Sequence, residues 1–443
     1  MSRSRRRKKP KELIIRVYNV GFGDCFLLTF RYSARMSRHV LIDFGSSAKP
    51  AGAKRDHFKR VARHIKETCG GKLHVVVATH RHSDHLSGFA LGRSSTSPGR
   101  VIRDCEPDYV IQPWTEDPKV PEDAKAPPDQ SDRLRGFVSS LRKMQEVAAV
   151  ASAEVKWMRA HRMAVGEDVA TDLTVYGESG IRNRSAVRNL RTMAKRGERG
   201  QLYVHYGKRL PLGRVLPGVK IRILGPPTLD QSEAIESQRT KDANEYWHLQ
   251  NQAVQFAAAS GARLFPRAPA FAEGRHPVEA RPFVGQLQSI RGEQLLSIVR
   301  TLDNVLNNTS VILLFEIGRQ KILFSGDAQI ENWSYALEDA SDSASNRRLL
   351  RNVTVYKVGH HGSLNATPRE SLWDRFAKKS SRSGDKGRLQ TLLSTMEGKH
   401  GSERKKTEVP RKKLVSALKR YSKLTNTQDM EPNEKPGPIS IAL

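Results

Sequence analysis

Between residues 79 and 85 the chain reads THRHSDH, and His80, His82, Asp84 and His85 are all side chains of metal-holding types. Side chains two apart in an extended segment leave on the same side, so His80 and His82 can share one ion while Asp84 and His85 serve a second. Buried without a ligand, so dense a polar set would be costly. Two later stretches repeat the design of a strand that ends in a short loop with ligand-type side chains: Ser325-Gly326-Asp327 and Gly359-His360-His361-Gly362-Ser363. A pair of divalent cations held between such loops lowers the pKa of a water and stabilises the entering and leaving oxygens of a displacement. The chemistry expected is therefore hydrolysis by a metal-activated hydroxide.

Strand ends must carry these loops. Apolar runs predict strands at residues 13–18 and 25–30 around a GFGD turn, at Val40–Phe44, and at Lys72–Ala78 leading straight into the His-rich motif. Phe58, Val61, Ala62 and Ile65 have helical spacing between the last two. Further strands are expected at Tyr109–Gln112 and Lys220–Leu224, and a hairpin at Ser310–Ile317 and Lys321–Ser325 places Asp327 just past its second strand. Val353–Val358 delivers His360 and His361, and a strand at Leu389–Thr395 and a helix at Arg411–Tyr421 follow. A Pro-rich stretch from Pro113 to Pro128 reads as a surface loop, the apolar stripe Leu134 to Met144 as a core-packing helix, and Ile290–Leu302 again shows helical spacing.

The 443 residues carry 76 Lys and Arg against 46 Asp and Glu, a net charge of +30 that favours a polyanionic partner, nucleic acid first. Part of that charge lies between residues 181 and 209, where Arg188, Arg191, Lys195, Arg196, Lys208 and Arg209 alternate with Tyr203 and Tyr206. This stretch suits phosphate contacts with some base stacking, and it also suits an ordinary exposed basic helix and loop. Cys25, Cys69 and Cys105 are odd in number and widely spaced, which argues against a disulfide framework or zinc knuckle and for a reducing compartment, the cytoplasm. No signal peptide or membrane-spanning run is evident, so no membrane association is expected.

The ordered motifs VGFGD (20–24), LIDFG (41–45), THRHSDH (79–85), NNTSVILLFEIGRQKILFSGDA (307–328) and VYKVGHHGS (355–363) resemble the metallo-β-lactamase superfamily. Within it they look most like the soluble metallo-hydrolase domain of the ComEC family of DNA-uptake proteins and its free-standing relatives. The resemblance implies a four-layer αββα sandwich with the metals at one edge. It divides the chain into a basic tail at 1–12 and one catalytic domain at 13–435, with insertions at about 115–300 and a basic segment from about 379. It implies two divalent ions, zinc first and manganese second. His80 and His82 would hold the first and Asp84 and His85 the second, Asp327 would bridge them, and His361 would complete the second. His360 would contact substrate or donate a proton, Asp84 or Asp327 would orient the water, and Asp24 and Asp43 would support the site from behind. A further His usually completes the first shell in this superfamily; His161, His205 and His248 are the candidates, and none lies in a motif. The expected activity is that of a DNA-cleaving nuclease or phosphodiesterase, the alternative being hydrolysis of small esters, lactones, thioesters or phosphocholine groups. Family habit adds a regulatory protein partner, in a defence system.

Overall fold

The computed structural model describes residues 9–120, 183–232, 234, 303, 305–363, 365–401 and 408–443. The expected helix at Leu134–Met144, the helical spacing at Ile290–Leu302, and His161 and His248 lie outside these residues.

Alternation along the strands sets the layers. In β2 (Cys25–Ser33), Phe26, Leu28 and Phe30 enter one apolar cluster, while Cys25 and Leu27 enter another on the opposite face. In β8 (Ile312–Ile317), Leu313, Phe315 and Ile317 point to the first of these clusters, and Ile312 and Leu314 to a third. Strands apolar on both faces need cover on both, which these sheets receive.

The first sheet has seven strands, in the order β13 (Ile439–Ala442), β1 (Glu12–Val17), β2, β3 (Met36–Phe44), β4 (Val75–Val77), β5 (Tyr109–Pro113) and β6 (Gln201–Val204). Pairing is antiparallel from β13 to β3 and parallel from β3 to β6. The second has six, in the order β12 (Lys423–Asn426), β11 (Gln390–Leu393), β10 (Val355–Lys357), β9 (Gln320–Phe324), β8 and β7 (Lys220–Gly225). It is parallel from β12 to β9 and antiparallel from β9 to β7.

The sheets face each other across one apolar layer, in which the Phe26 and Phe324 rings lie 5.4 Å apart and those of Phe30 and Phe315 6.1 Å apart. Against the outer face of the first sheet pack α1 (His57–Thr68) through Val61 and Ile65, α3 (Pro98–Arg103) through Ile102, and α4 (Arg184–Thr192) through Ala186 and Leu190. The short α2 (Ser83–Leu86) lies between α1 and α3 in the chain, inside the His-rich motif. The second sheet is covered by α5 (Ile330–Ser334) through Trp333, α6 (Ser343–Arg351) through Leu350, and α7 (Lys412–Tyr421) through Leu418. The chain is thus a mixed α/β protein with two mixed sheets between helices. Among the described residues no helix is long and apolar enough to cross a membrane.

Each apolar run read as a strand forms one, although β4 is cut to Val75–Val77 because the chain turns at Thr79 to present its ligands. Three strands carry too little pattern to be seen in sequence: β6 lies inside the basic stretch, and β12 and β13 have four residues each. β13 pairs with β1 and extends the first sheet beyond residue 435, while Glu12, at the end of the presumed tail, already belongs to β1.

β3 is held closely at its end and along its length. Gly45 ends that strand against α2, and a Cβ there would lie 2.5 Å from the Ser83 carbonyl oxygen and from the Leu86 nitrogen. Gly45→Ala should lose about 1–3 kcal/mol, read as a lower melting temperature, whereas an unchanged one would mean the contact is absent. His39 on β3 and His74 before β4 are buried, with the His39 backbone N–H 3.1 Å from His74 Nδ1. Burial first, then neighbouring arginines including Arg38, pushes His39 down to about 4 and His74 down to about 3. Unfolded histidines titrate near 6.5, so below that pH the unfolded chain takes up more protons than the folded one, and stability falls as pH falls. The slope from these two groups is at most about 1.4 kcal/mol per pH unit each, and denaturant melts between pH 7 and 5 should show it. Equal midpoints across that range would refute it.

Candidate metal centre

Parallel pairing of β3 with β4 and of β9 with β10 and β11 brings the C-terminal ends of these strands to one edge, from both sheets. Asp43 lies in the end of β3, Thr79 and His80 follow β4, Asp327 follows β9, and Lys357, His360 and His361 come from β10 and the loop after it. The backbone there is unusual. Asp43, His360 and His361 have φ of 54°, 43° and 50°, a region that ordinary side chains rarely adopt and that tends to mark functional sites. Gly326 (φ 51°) needs no side chain, since a Cβ there would be 2.9 Å from Thr79 Cβ.

Asp327 Oδ2 is the hub of the cluster. It lies 3.1 Å from His85 Nε2, 3.5 Å from His361 Nε2, 3.9 Å from His80 Nε2 and 4.0 Å from His360 Nε2. Asp84 Oδ2 is 3.0 Å from His361 Nε2, and His80 Nε2 is 2.9 Å from His82 Nδ1. Ligand atoms of Asp84, His85, Asp327 and His361 all fall within 4.8 Å of one another, and all four side chains are buried. Asp84 Oδ1, both Asp327 oxygens, and Nε2 of His82 and His85 are buried without a hydrogen bond. Unsatisfied acceptors and imidazoles this close suit a divalent cation, so these buried residues could hold a metal ion.

A second group, Asp24, Asp43 and His85, also lies within 4.8 Å, but its members have protein partners. Asp43 accepts from Thr79 N and Thr79 Oγ1, both at 2.7 Å, and its Oδ2 is 2.8 Å from His85 Nδ1. Asp24 forms an ion pair with Lys357. The Lys357 ammonium is 1% exposed, lies 3.5 Å from Asp327 Oδ1 and donates to the Gly326 carbonyl at 3.1 Å. This group is an internal ion-pair network.

Charge balance explains the protonation states. Burial alone would depress His85 and His361, but Asp327 and the other carboxylates around them reverse that and hold both above their ordinary value, His85 well above it. Burial would raise Asp84 and Asp327, but His85 first and then His361 keep both low. Burial depresses His80 further, aided by His85 and His82. Lys357 stays charged because Asp24 and Asp327 outweigh its desolvation.

The ligand-type residues expected from sequence, His80, His82, Asp84, His85, Asp327, His360 and His361, thus meet at one place, with Asp24 and Asp43 behind them. His205 is buried with Nδ1 2.9 Å from the Tyr206 carbonyl, and among the described residues it joins neither ligand group. The basic stretch is partly committed elsewhere: Arg191 donates to the Glu116 carbonyl, Lys195 pairs with Glu106, and Arg196 lies 4.9 Å from the centre of the Tyr109 ring. Arg188 and Arg209 are exposed, and α4 reaches the His-rich loop through Asn183, which donates to the Arg81 carbonyl at 3.1 Å.

Three residues escaped the sequence reading. Lys357 is the lone charge in the apolar run VYKV, which was its only signal. Asp303 Oδ1 lies 3.5 Å from His82 Nε2, and burial pushes its carboxyl up to about 6. His400 lies 5.1 Å, ring to ring, from Phe22, whose ring is 4.5 Å from that of His361, and burial followed by His360 pushes it down to about 4. No family model matches the chain, and no curated protein matches it.

Replacing the buried ammonium tests the network. Lys357→Met leaves Asp24 and Asp327 uncompensated and should cost about 3–5 kcal/mol in chemical denaturation at neutral pH. A loss below about 1 kcal/mol would show that the ion pair is dispensable.

Proposed function

We propose that the chain is a metal-dependent hydrolase of the metallo-β-lactamase superfamily, related to the ComEC-type metallo-hydrolases, and that it cleaves DNA as a nuclease or phosphodiesterase. The observation that carries this reading is the convergence of Asp84, His85, Asp327 and His361 within 4.8 Å at the edge where two sheets meet. Two face-to-face sheets between helices agree with that fold. In this reading Asp84, His85 and His361 would hold one cation, His80 and His82 would hold the other, and Asp327 would contribute to both sets. Zinc suits the imidazole-rich set, with manganese second. Divalent ions bound there would supply an acidified water and Lewis acidity to the displacement.

The protein's own side chains have distinct tasks. Asp84, fixed through His361, orients the water. Asp43 and Asp24 keep His85 and Lys357 in place, and His360, 23% exposed and 4.0 Å from the hub oxygen, is the most exposed imidazole of the cluster and the one placed to hand a proton to the leaving oxygen. A net charge of +30 draws a phosphate polymer to the surface, and Arg188 and Arg209 remain exposed for it.

Purified protein loaded with zinc or manganese should cleave linear, circular or single-stranded DNA, and chelator should stop it. Asp84→Ala and Asp327→Ala should each lower the rate at least about a hundredfold while DNA affinity, falling steeply with salt, persists. Turnover of small esters with no affinity for DNA would overturn the nuclease reading and favour the small-molecule one.

A further inference from the structure

Three imidazoles of the centre, those of His85, His361 and His80, are backed by an acceptor on the side away from the cluster. His85 Nδ1 is 2.8 Å from Asp43 Oδ2, His361 Nδ1 is 2.9 Å from the Ser394 carbonyl, and His80 Nδ1 is 3.2 Å from Thr79 Oγ1. His82 differs in orientation. Its Nδ1 faces His80 Nε2 at 2.9 Å, so Nε2 points away from the pair, buried and without a hydrogen bond. The carboxylate on that side is Asp303, Oδ1 at 3.5 Å, with side chains only 4% and 12% exposed. Its other oxygen accepts from Asn307 Nδ2 at 3.2 Å, one helical turn on, which leaves Oδ1 directed at the ring.

We propose that Asp303 is a positioning residue for the cation held by His80 and His82: its carboxylate takes the proton-bearing Nε2 of His82 and leaves Nδ1 free to bind. An imidazole binds a cation only through an unprotonated nitrogen, so fixing the proton on Nε2 selects the competent tautomer, and a carboxylate partner raises the basicity of the opposite nitrogen. Direct ligation by Asp303 fits less well. Its closest approach is to the nitrogen turned away from His80, and among the described residues no group of three ligand atoms within 4.8 Å includes it. The inference rests on the metal-centre reading above and explains how the first site is made firm without a third histidine among the described residues.

The test uses metal-free full-length protein titrated with Zn2+ by calorimetry and with Co2+ by visible absorption. Wild type should bind two equivalents; if it binds none, the metal-centre reading itself fails. Asp303→Ala should weaken one of the two sites about 10–100-fold and change the Co2+ absorption of that site alone, with the other site and the melting temperature of the metal-free protein near wild type. Asp303→Asn keeps an acceptor oxygen and should recover part of the affinity, and Asn307→Ala, which frees the carboxylate to turn, should show a smaller loss at the same site. Should Asp303→Ala fail to fold, these two variants carry the test. Two unchanged sites in a folded variant would overturn the proposal, as would equal weakening of both, which would place Asp303 in the shared ligand set.

Discussion

Asp24, Asp43, Asp84 and Asp327 are packed where the strand ends of two sheets meet, none more than 6% exposed. Desolvating a carboxylate costs several kcal/mol even after the protein relaxes, so four so close together are tolerable only if cations stand among them. Lys357 supplies fixed charge there, and the pairs that it, His85 and His361 make reach across the sandwich. Asp24 precedes β2 of the first sheet and meets Lys357 of the second; Asp84 belongs to the first and meets His361 of the second; His85 and Asp327 pair in the opposite sense. The apolar layer between the sheets brings them face to face, and these pairs fix how the edge is aligned.

The local backbone follows from that requirement. A carboxylate or imidazole at the end of a strand points into the cluster only if the chain turns sharply behind it, and Asp43, Gly326, His360 and His361 all turn with positive φ. The tight approach of Gly326 to Thr79 closes the gap between the end of β9 in one sheet and the segment that follows β4 in the other. Thr79 in turn ties Asp43 to the His-rich loop through two hydrogen bonds. Small residues and strained turns here serve electrostatics before they serve packing.

Much of this could be read in the sequence, for identifiable reasons. The layers were legible because strands buried on both faces are written as apolar runs, and His80, His82, Asp84 and His85 because four ligand types crowd six positions. Asp327 and the His360-His361 pair were legible because they repeat the arrangement of a strand followed by a ligand loop. Asp24 and Asp43 entered only through family resemblance, since a single Asp near a turn has no signature of its own. Asp303 was invisible because its meaning lies in one nitrogen of His82, far away in the chain. In the basic stretch the composition was plain, but the contacts of Lys195 with Glu106 and of Arg196 with Tyr109 could not be read from it, because those partners lie far off in the chain.

The order of the centre's parts along the chain has a consequence for synthesis. Asp24, Asp43 and the His-rich loop emerge early, whereas the buried ammonium and the last imidazole wait for residues 357 to 361, and the strands β11 to β13 come later still. Until then the early acids have lost none of their need for counter-charge, so the first sheet has reason to stay hydrated at that edge. Contacts of such long sequence separation form late and slowly. A chain stopped short of residue 357 carries the most conspicuous ligands and no means of burying them, so assembly of the sandwich and completion of its centre wait together for the strands from β10 onward.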